Sequence, residues 1–201
     1  MKQYICVFGA SSEKASEEYK SAAFELGKLI AQHGYGMVFG AGRYGVMGAA
    51  ARGAHSQNGD ILGVIPERLN LPGIVSEHCT EVIVTPTMHV RKETMEQKST
   101  AFVTLAGGFG TFEELTEVIT LKQLGYIDAP IVILNTCNYY DDIIAMFKRC
   151  ISERFADASY ANLYFVAKTP AEAIEYIENY VPAQVIDKVN AMMRDKSTAD
   201  I

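Results

Sequence analysis

The chain has 201 residues, 49% of them hydrophobic and 21% charged, and its 18 Lys and Arg against 24 Asp and Glu leave a formal charge of −6. Apolar content of this order supplies a globular core without disulfides or metal, which excludes a disordered chain or a miniprotein. An acidic balance with scattered cations offers no electrostatic footprint for a long nucleic acid or an anionic membrane.

Short aliphatic runs alternate with helix-period segments from one end to the other, the pattern of a parallel sheet. Tyr4 to Phe8 reads as a strand ending in Gly9. Tyr19, Ala22, Ala23, Leu26, Leu29 and Ile30 then recur at helical spacing before the stop at His33-Gly34. Met37 to Phe39 is a second strand, and the Ala-rich run from Val46 to His55 suits a helix packed close to a sheet. A third strand, Ile61 to Ile65, ends at Pro66, and a polar loop through Leu69-Asn70-Leu71-Pro72-Gly73 leads to a fourth at Val82 to Val84. A helix from about Met88 to Ser99 and a strand from Ala101 to Leu105 follow.

Phe112, Leu115, Val118, Ile119 and Leu124 mark a helix after the glycines at 107, 108 and 110. The remaining elements are a strand at Ile131 to Leu134, a helix from Tyr140 to Ile151, a short strand at Tyr164 to Val166, a helix from Pro170 to Tyr180, and a helical tail from Pro182 to about Arg194. No repeat or linker interrupts the alternation. The expectation is a single domain over residues 1–201 with an α/β fold, a Rossmann-like doubly wound parallel sheet in a three-layer sandwich.

Cys6, Cys79, Cys137 and Cys150 form no C-x-x-C, and the four histidines form no paired motif, so neither a zinc site nor a disulfide framework is expected. The first strand's apolar run is too short for a signal-peptide core, and no run approaches the ~20 apolar residues of a membrane span. These features predict a soluble, cytoplasmic protein without bound metal or cofactor.

In doubly wound sheets ligands sit beyond the carboxyl ends of the strands. Four such junctions are rich in small residues: Gly9 to Ser12, Gly40 to Gly45, Thr85 to Thr87 and Ala106 to Thr111. The last is a Gly-rich strand-to-helix turn, which exposes backbone N–H groups where the helix dipole favours an anion such as phosphate. Glycines also serve tight turns with no ligand present. Neither G-x-x-x-x-G-K-[ST] nor G-x-G-x-x-G after the first strand occurs, which points away from a P-loop triphosphatase and a dinucleotide oxidoreductase toward a mononucleotide. Thr111-Phe112-Glu113-Glu114 also reads as a capping box, T-x-x-E. Arg91 and Lys92 open a helix whose dipole they oppose, so either an anion rewards them or they are solvated surface charges screened by Glu93 and Glu96.

The segments GAGRYGVMGAAARGA at 40 to 54, MHVRK at 88 to 92 and AGGFGTFEELTEVIT at 106 to 120, in this order and spacing, resemble the Lonely Guy (LOG) family of cytokinin riboside 5′-monophosphate phosphoribohydrolases, often mislabelled lysine decarboxylases. The resemblance runs to roughly residue 155. It implies hydrolysis of the N-glycosidic bond of adenosine 5′-monophosphates, N6-substituted or not, in a homodimer. It also implies Arg91 and Glu114 as catalytic pair, Gly107, Gly108, Gly110 and Thr111 as phosphate turn, and Ser11, Gly42, Met88, Lys92 and Thr120 as further substrate contacts. Against the family pattern Ala106 stands for the usual Pro, Ala41 for a usual Gly, Val90 for a frequent Glu and Leu121 for a common Trp. A noncatalytic nucleotide-binding or regulatory protein of the same fold is the alternative. Pyridoxal-dependent decarboxylation lacks a convincing Schiff-base lysine.

Overall fold

The computed structural model describes residues 2–182. Among the described residues seven strands, β1 (Tyr4–Phe8), β2 (Gly36–Phe39), β3 (Ile61–Pro66), β4 (Glu81–Thr85), β5 (Ala101–Thr104), β6 (Ile131–Leu134) and β7 (Phe165–Ala167), alternate with six α-helices, except that β3 and β4 are joined without one. These are α1 (Glu17–Gln32), α2 (Gly45–His55), α3 (Met88–Gln97), α4 (Phe109–Gln123), α5 (Asp141–Ser152) and α6 (Pro170–Glu178). The strands lie in the order β4-β3-β2-β1-β5-β6-β7, with every neighbouring pair parallel. This is the expected doubly wound, Rossmann-like α/β sheet. The helical tail expected after Pro182 lies outside the described residues.

The central strands are buried on both faces, which is why they read as continuous apolar runs rather than alternations. One face packs Ile5, Val7, Phe39 and Val103 against α1, α2 and α6. The other packs Cys6, Phe8, Val64 and Phe102 against α3, α4 and α5. The helices α1 and α2 touch backbone to backbone: a Cβ on Gly27 would lie 1.9 Å from the Ala50 carbonyl oxygen, and one on Gly53 equally close to that of Phe24. The Ala/Gly-rich composition of α2 is the condition for that approach.

The winding reverses between β1 and β5. The chain steps outward through β2, β3 and β4, and α3 then carries it back past β1 to β5. The two strand ends are tied at this point: Leu105 N–H donates to Phe8 O at 2.9 Å and Ala10 N–H to Ala106 O at 3.1 Å. A crevice at such a reversal is where an open α/β sheet binds its ligand.

Candidate active site

A cleft of about 710 Å³ opens over the ends of β1, β2, β3 and β5. Gly9, Ser11, Gly108, Gly110 and Thr111 line one side. Ile65, Leu69, Leu71, Ile74 and Met88 form an apolar wall on the other. The segment read as a polar loop therefore supplies hydrophobic surface. It is stitched in place by hydrogen bonds from Arg43 N–H to Ile74 O (3.0 Å) and from Ser76 N–H to Ala41 O (2.8 Å). Ala41 makes that turn at φ 60°, the left-handed region where glycine is the unstrained residue.

At the cleft floor Arg91 Nη1 donates to Glu114 Oε1 at 2.8 Å, with Arg91 7% and Glu114 9% exposed. Thr87 sets the start of α3, its hydroxyl accepting the Val90 N–H at 3.2 Å, which places Arg91 one turn in. The guanidinium is held a second time by Nε donating to Val64 O at 3.1 Å. Its Nη2 end also lies close against Gly40, where a Cβ would fall 2.3 Å from Nη2. Burial pushes the Glu114 carboxyl above its usual range, and the Arg91 charge and hydrogen bond pull it part of the way back.

The helix α4 begins earlier than its apolar period suggests. Gly108 is the N-cap residue and Thr111 the third helical one, so T-x-x-E is not a capping box; no side chain caps this helix. The misreading came from taking the third glycine as turn, although Gly110 lies in the first helical turn. The carbonyls of Leu105, Ala106 and Gly107 are all taken, by Tyr140 Oη, Ala10 N and Tyr139 Oη. The N–H groups of Gly108, Phe109, Gly110 and Thr111 make no hydrogen bond to any described residue. Four such open donors at a helix start form an anion site. The Thr111 side chain rests on Gly107, where a Cβ would lie 2.1 Å from its Oγ1.

The cations at the start of α3 are rewarded by α4 rather than left solvated. Arg91 meets Glu114, and Lys92 Nζ meets Glu113 and, at 2.9 Å, Glu117. Burial pulls the Lys92 ammonium down, but the two carboxylates outweigh it and hold it above its ordinary value. Of the residues expected around a substrate, Ser11, Gly42, Met88, Arg91, Lys92, Gly108, Gly110, Thr111 and Glu114 line the cleft. Gly107 sits behind them as a buried support. Thr120 does not reach the cleft; it is exposed far along α4 with its hydroxyl on Thr116 O at 2.7 Å. Sequence reasoning missed Tyr139 and Tyr140, whose only signal was a tandem aromatic pair after β6. Among the described residues no group of three His, Cys, Asp or Glu side chains is placed to hold a metal ion.

Fold and cleft together define a Rossmann-like α/β protein that presents an open helix N-terminus beside a buried acid–cation pair. The family profile described as "possible lysine decarboxylase" matches residues 47–177. The chain is 37% identical to a probable cytokinin riboside 5′-monophosphate phosphoribohydrolase of Oryza sativa subsp. japonica, over 94% of this chain and 75% of that one. It is 35% identical to the cytokinin riboside 5′-monophosphate phosphoribohydrolase LOG2 of Arabidopsis thaliana, over 96% and 91%. The Moco carrier protein from Chlamydomonas reinhardtii superposes with a TM-score of 0.70 at 29% identity, over 89% of this chain and 96% of that one. The chain belongs to the LOG family, the group covered by that decarboxylase-named profile.

Proposed function

We propose that this protein hydrolyses the N-glycosidic bond of adenosine 5′-monophosphates, N6-substituted or not, releasing the free base and ribose 5-phosphate. The observation that carries the reading is the buried Arg91–Glu114 pair at the floor of a cleft whose rim is an open helix N-terminus. The names of its relatives support the same activity.

The 5′-phosphate docks on the N–H groups of residues 108–111 and the Thr111 hydroxyl, and its binding energy positions the ribose. As the bond from C1′ to the base breaks, its electron pair leaves with the purine and positive charge grows on the ribose. The Glu114 carboxylate stabilises that charge and orients the water whose oxygen bonds to C1′. A carboxyl raised by burial is also a stronger base toward that water's proton, and the proton it takes returns through solvent to the departing purine nitrogen, which leaves as the neutral base. Arg91 keeps its proton and acts on the departing base as an electrostatic partner. No metal or cofactor is needed for this chemistry.

The decarboxylase description implies pyridoxal phosphate, and the lysine that lines the cleft does not fit it. A Schiff-base lysine must give up its proton, whereas Lys92, the lysine of the cleft, is held protonated by Glu113 and Glu117. Burial lowers Lys122, but its Nζ donates to Ala129 O at 2.8 Å away from the cleft.

The functional unit we propose is a homodimer of single-domain chains, residues 1–201, acting in the cytoplasm without nucleic-acid or membrane partners. Val82 and Val84 on the edge strand β4 and Met88 and Val90 on α3 are 37–46% exposed, apolar surface that a second copy would cover. No helix among the described residues is long and apolar enough to cross a membrane, and the four cysteines are unpaired. Light scattering that returns the mass of one chain at micromolar concentration counts against the dimer.

A second reading, a noncatalytic binder, has the likeness to the Moco carrier protein in its favour. One experiment separates the two: incubation with AMP and with isopentenyladenosine monophosphate, followed by chromatography of the released base. Turnover supports the hydrolase; tight binding without release favours the carrier.

A further inference from the structure

We infer that Tyr139 is a positioning residue for phosphate recognition, acting through the Gly107 carbonyl; the inference rests on the phosphate site proposed above. The Tyr139 hydroxyl donates to Gly107 O at 2.6 Å. That carbonyl and the N–H of Gly108 are the two ends of one planar trans peptide and point in opposite directions. A hydrogen bond that draws the oxygen toward α5 therefore aims the Gly108 N–H the other way, toward the cleft that Gly108 lines.

This peptide joins two glycines, so no side chain of its own restricts its rotation. A Cβ on Gly108 would meet nothing within 4 Å, so packing braces this peptide only at its Gly107 end, where Thr111 rests. The neighbouring carbonyls already have separate anchors: Ala106 O accepts from Ala10 N–H and Leu105 O from Tyr140 Oη. Tyr139 supplies the anchor nearest the open donors.

The tyrosine is in turn held from its own side of the sheet. Asn135, just after β6, accepts the Tyr140 N–H on Oδ1 at 2.7 Å and donates from Nδ2 to Asp141 Oδ1 at 2.7 Å. The turn between them passes through Cys137 and Asn138 at φ 54° and 60°. The Tyr139 ring packs edge-on against Tyr19 and Tyr140. The two tyrosines differ in consequence. Tyr140 is wholly buried and secures the strand end, a stability role, while Tyr139 is 40% exposed and its hydroxyl reaches the turn itself.

The test is Tyr139→Phe, which removes the hydroxyl and keeps the ring packing. Binding of AMP, compared with and without Tyr139→Phe in a Glu114→Gln background that leaves AMP intact, and of adenine is measured by titration calorimetry alongside the melting temperature. The expected result is an AMP affinity weaker by about five- to tenfold, the equivalent of one hydrogen bond, with adenine affinity unchanged and the melting temperature lower by no more than a few degrees, the cost of losing the same bond from the fold. AMP affinity within twofold of that with Tyr139 in place, or an equal loss for adenine, overturns the inference. Both readouts are binding measurements, so a wild-type protein that binds AMP without releasing base would sink the hydrolase reading and leave this test intact.

Discussion

Glu114 Oε1 and Arg91 Nη1 meet at 2.8 Å beneath the cleft although 23 residues separate them in the chain. Such a pair is weak evidence for stability, because the cost of desolvating both charges offsets most of their attraction. Its position at the cleft floor gives it a chemical use instead. Glu114→Gln keeps the shape and an acceptor for Arg91 but removes the charge. Base release from AMP should fall by about 10² or more while AMP binding persists. Unfolding in urea should show a loss of about 1–3 kcal/mol. Arg91→Ala, which leaves a buried carboxylate alone, should cost about 3–5 kcal/mol as well as turnover. Near wild-type base release by a folded Gln variant removes the assigned mechanism.

Much of this was legible in the sequence because the sheet is parallel and buried: β1 and β6 are apolar runs bounded by turn residues, and their limits were readable to the residue. The start of α4 was not. Its first turn holds Gly110, a residue that signals turns, and its cap is a bare glycine backbone with no side chain to announce it. Leu69 and Leu71 sit among turn formers, and periodicity has no grip on a loop, so their place in the cleft wall was invisible. The charges of Arg91 and Lys92 were conspicuous, but which carboxylates they meet is fixed by α3 crossing back beside α4. That crossing is a property of strand order, which no local pattern encodes.

Gly40 tests how tightly the guanidinium is placed. A methyl there would lie 2.3 Å from Arg91 Nη2, and the flexible end of the arginine is what would give way. Gly40→Ala should therefore cost little stability, about 1 kcal/mol, yet lower kcat/KM by roughly 10² through misplacement of a reacting group. Steady-state kinetics beside thermal melting decide it; unchanged kinetics in the Ala variant would show that the Arg91 position is not critical.

The open donors of residues 108–111 predict strong dependence on the 5′-phosphate. Adenosine should be processed with kcat/KM at least about 10²-fold below that of AMP, since the missing phosphate removes binding energy used to position the ribose. Thr111→Val should weaken AMP by about three- to tenfold, the loss of one hydroxyl contact, and leave adenosine kinetics unaltered. Comparable kcat/KM for the two substrates argues against the phosphate assignment.

Glu96 gives the protein a pH signature outside the reacting pair. It is half-buried on α3, and burial, then the neighbouring Glu117 carboxylate, pushes its carboxyl from 4.5 up to about 7, against the opposing pull of Lys92. A raised carboxyl binds its proton more tightly in the folded chain than in the unfolded one. Between 4.5 and about 7 the native state therefore holds more protons, and stability falls as pH rises through that window and levels off above it. Glu96→Gln carries no charge at any pH and should remove this slope. The variant should melt higher than the wild type at about pH 8 and close to it at about pH 4. A gain of equal size at both pH values, or a lower melting temperature at the higher one, would mean that Glu96 is not the group whose ionisation the fold opposes.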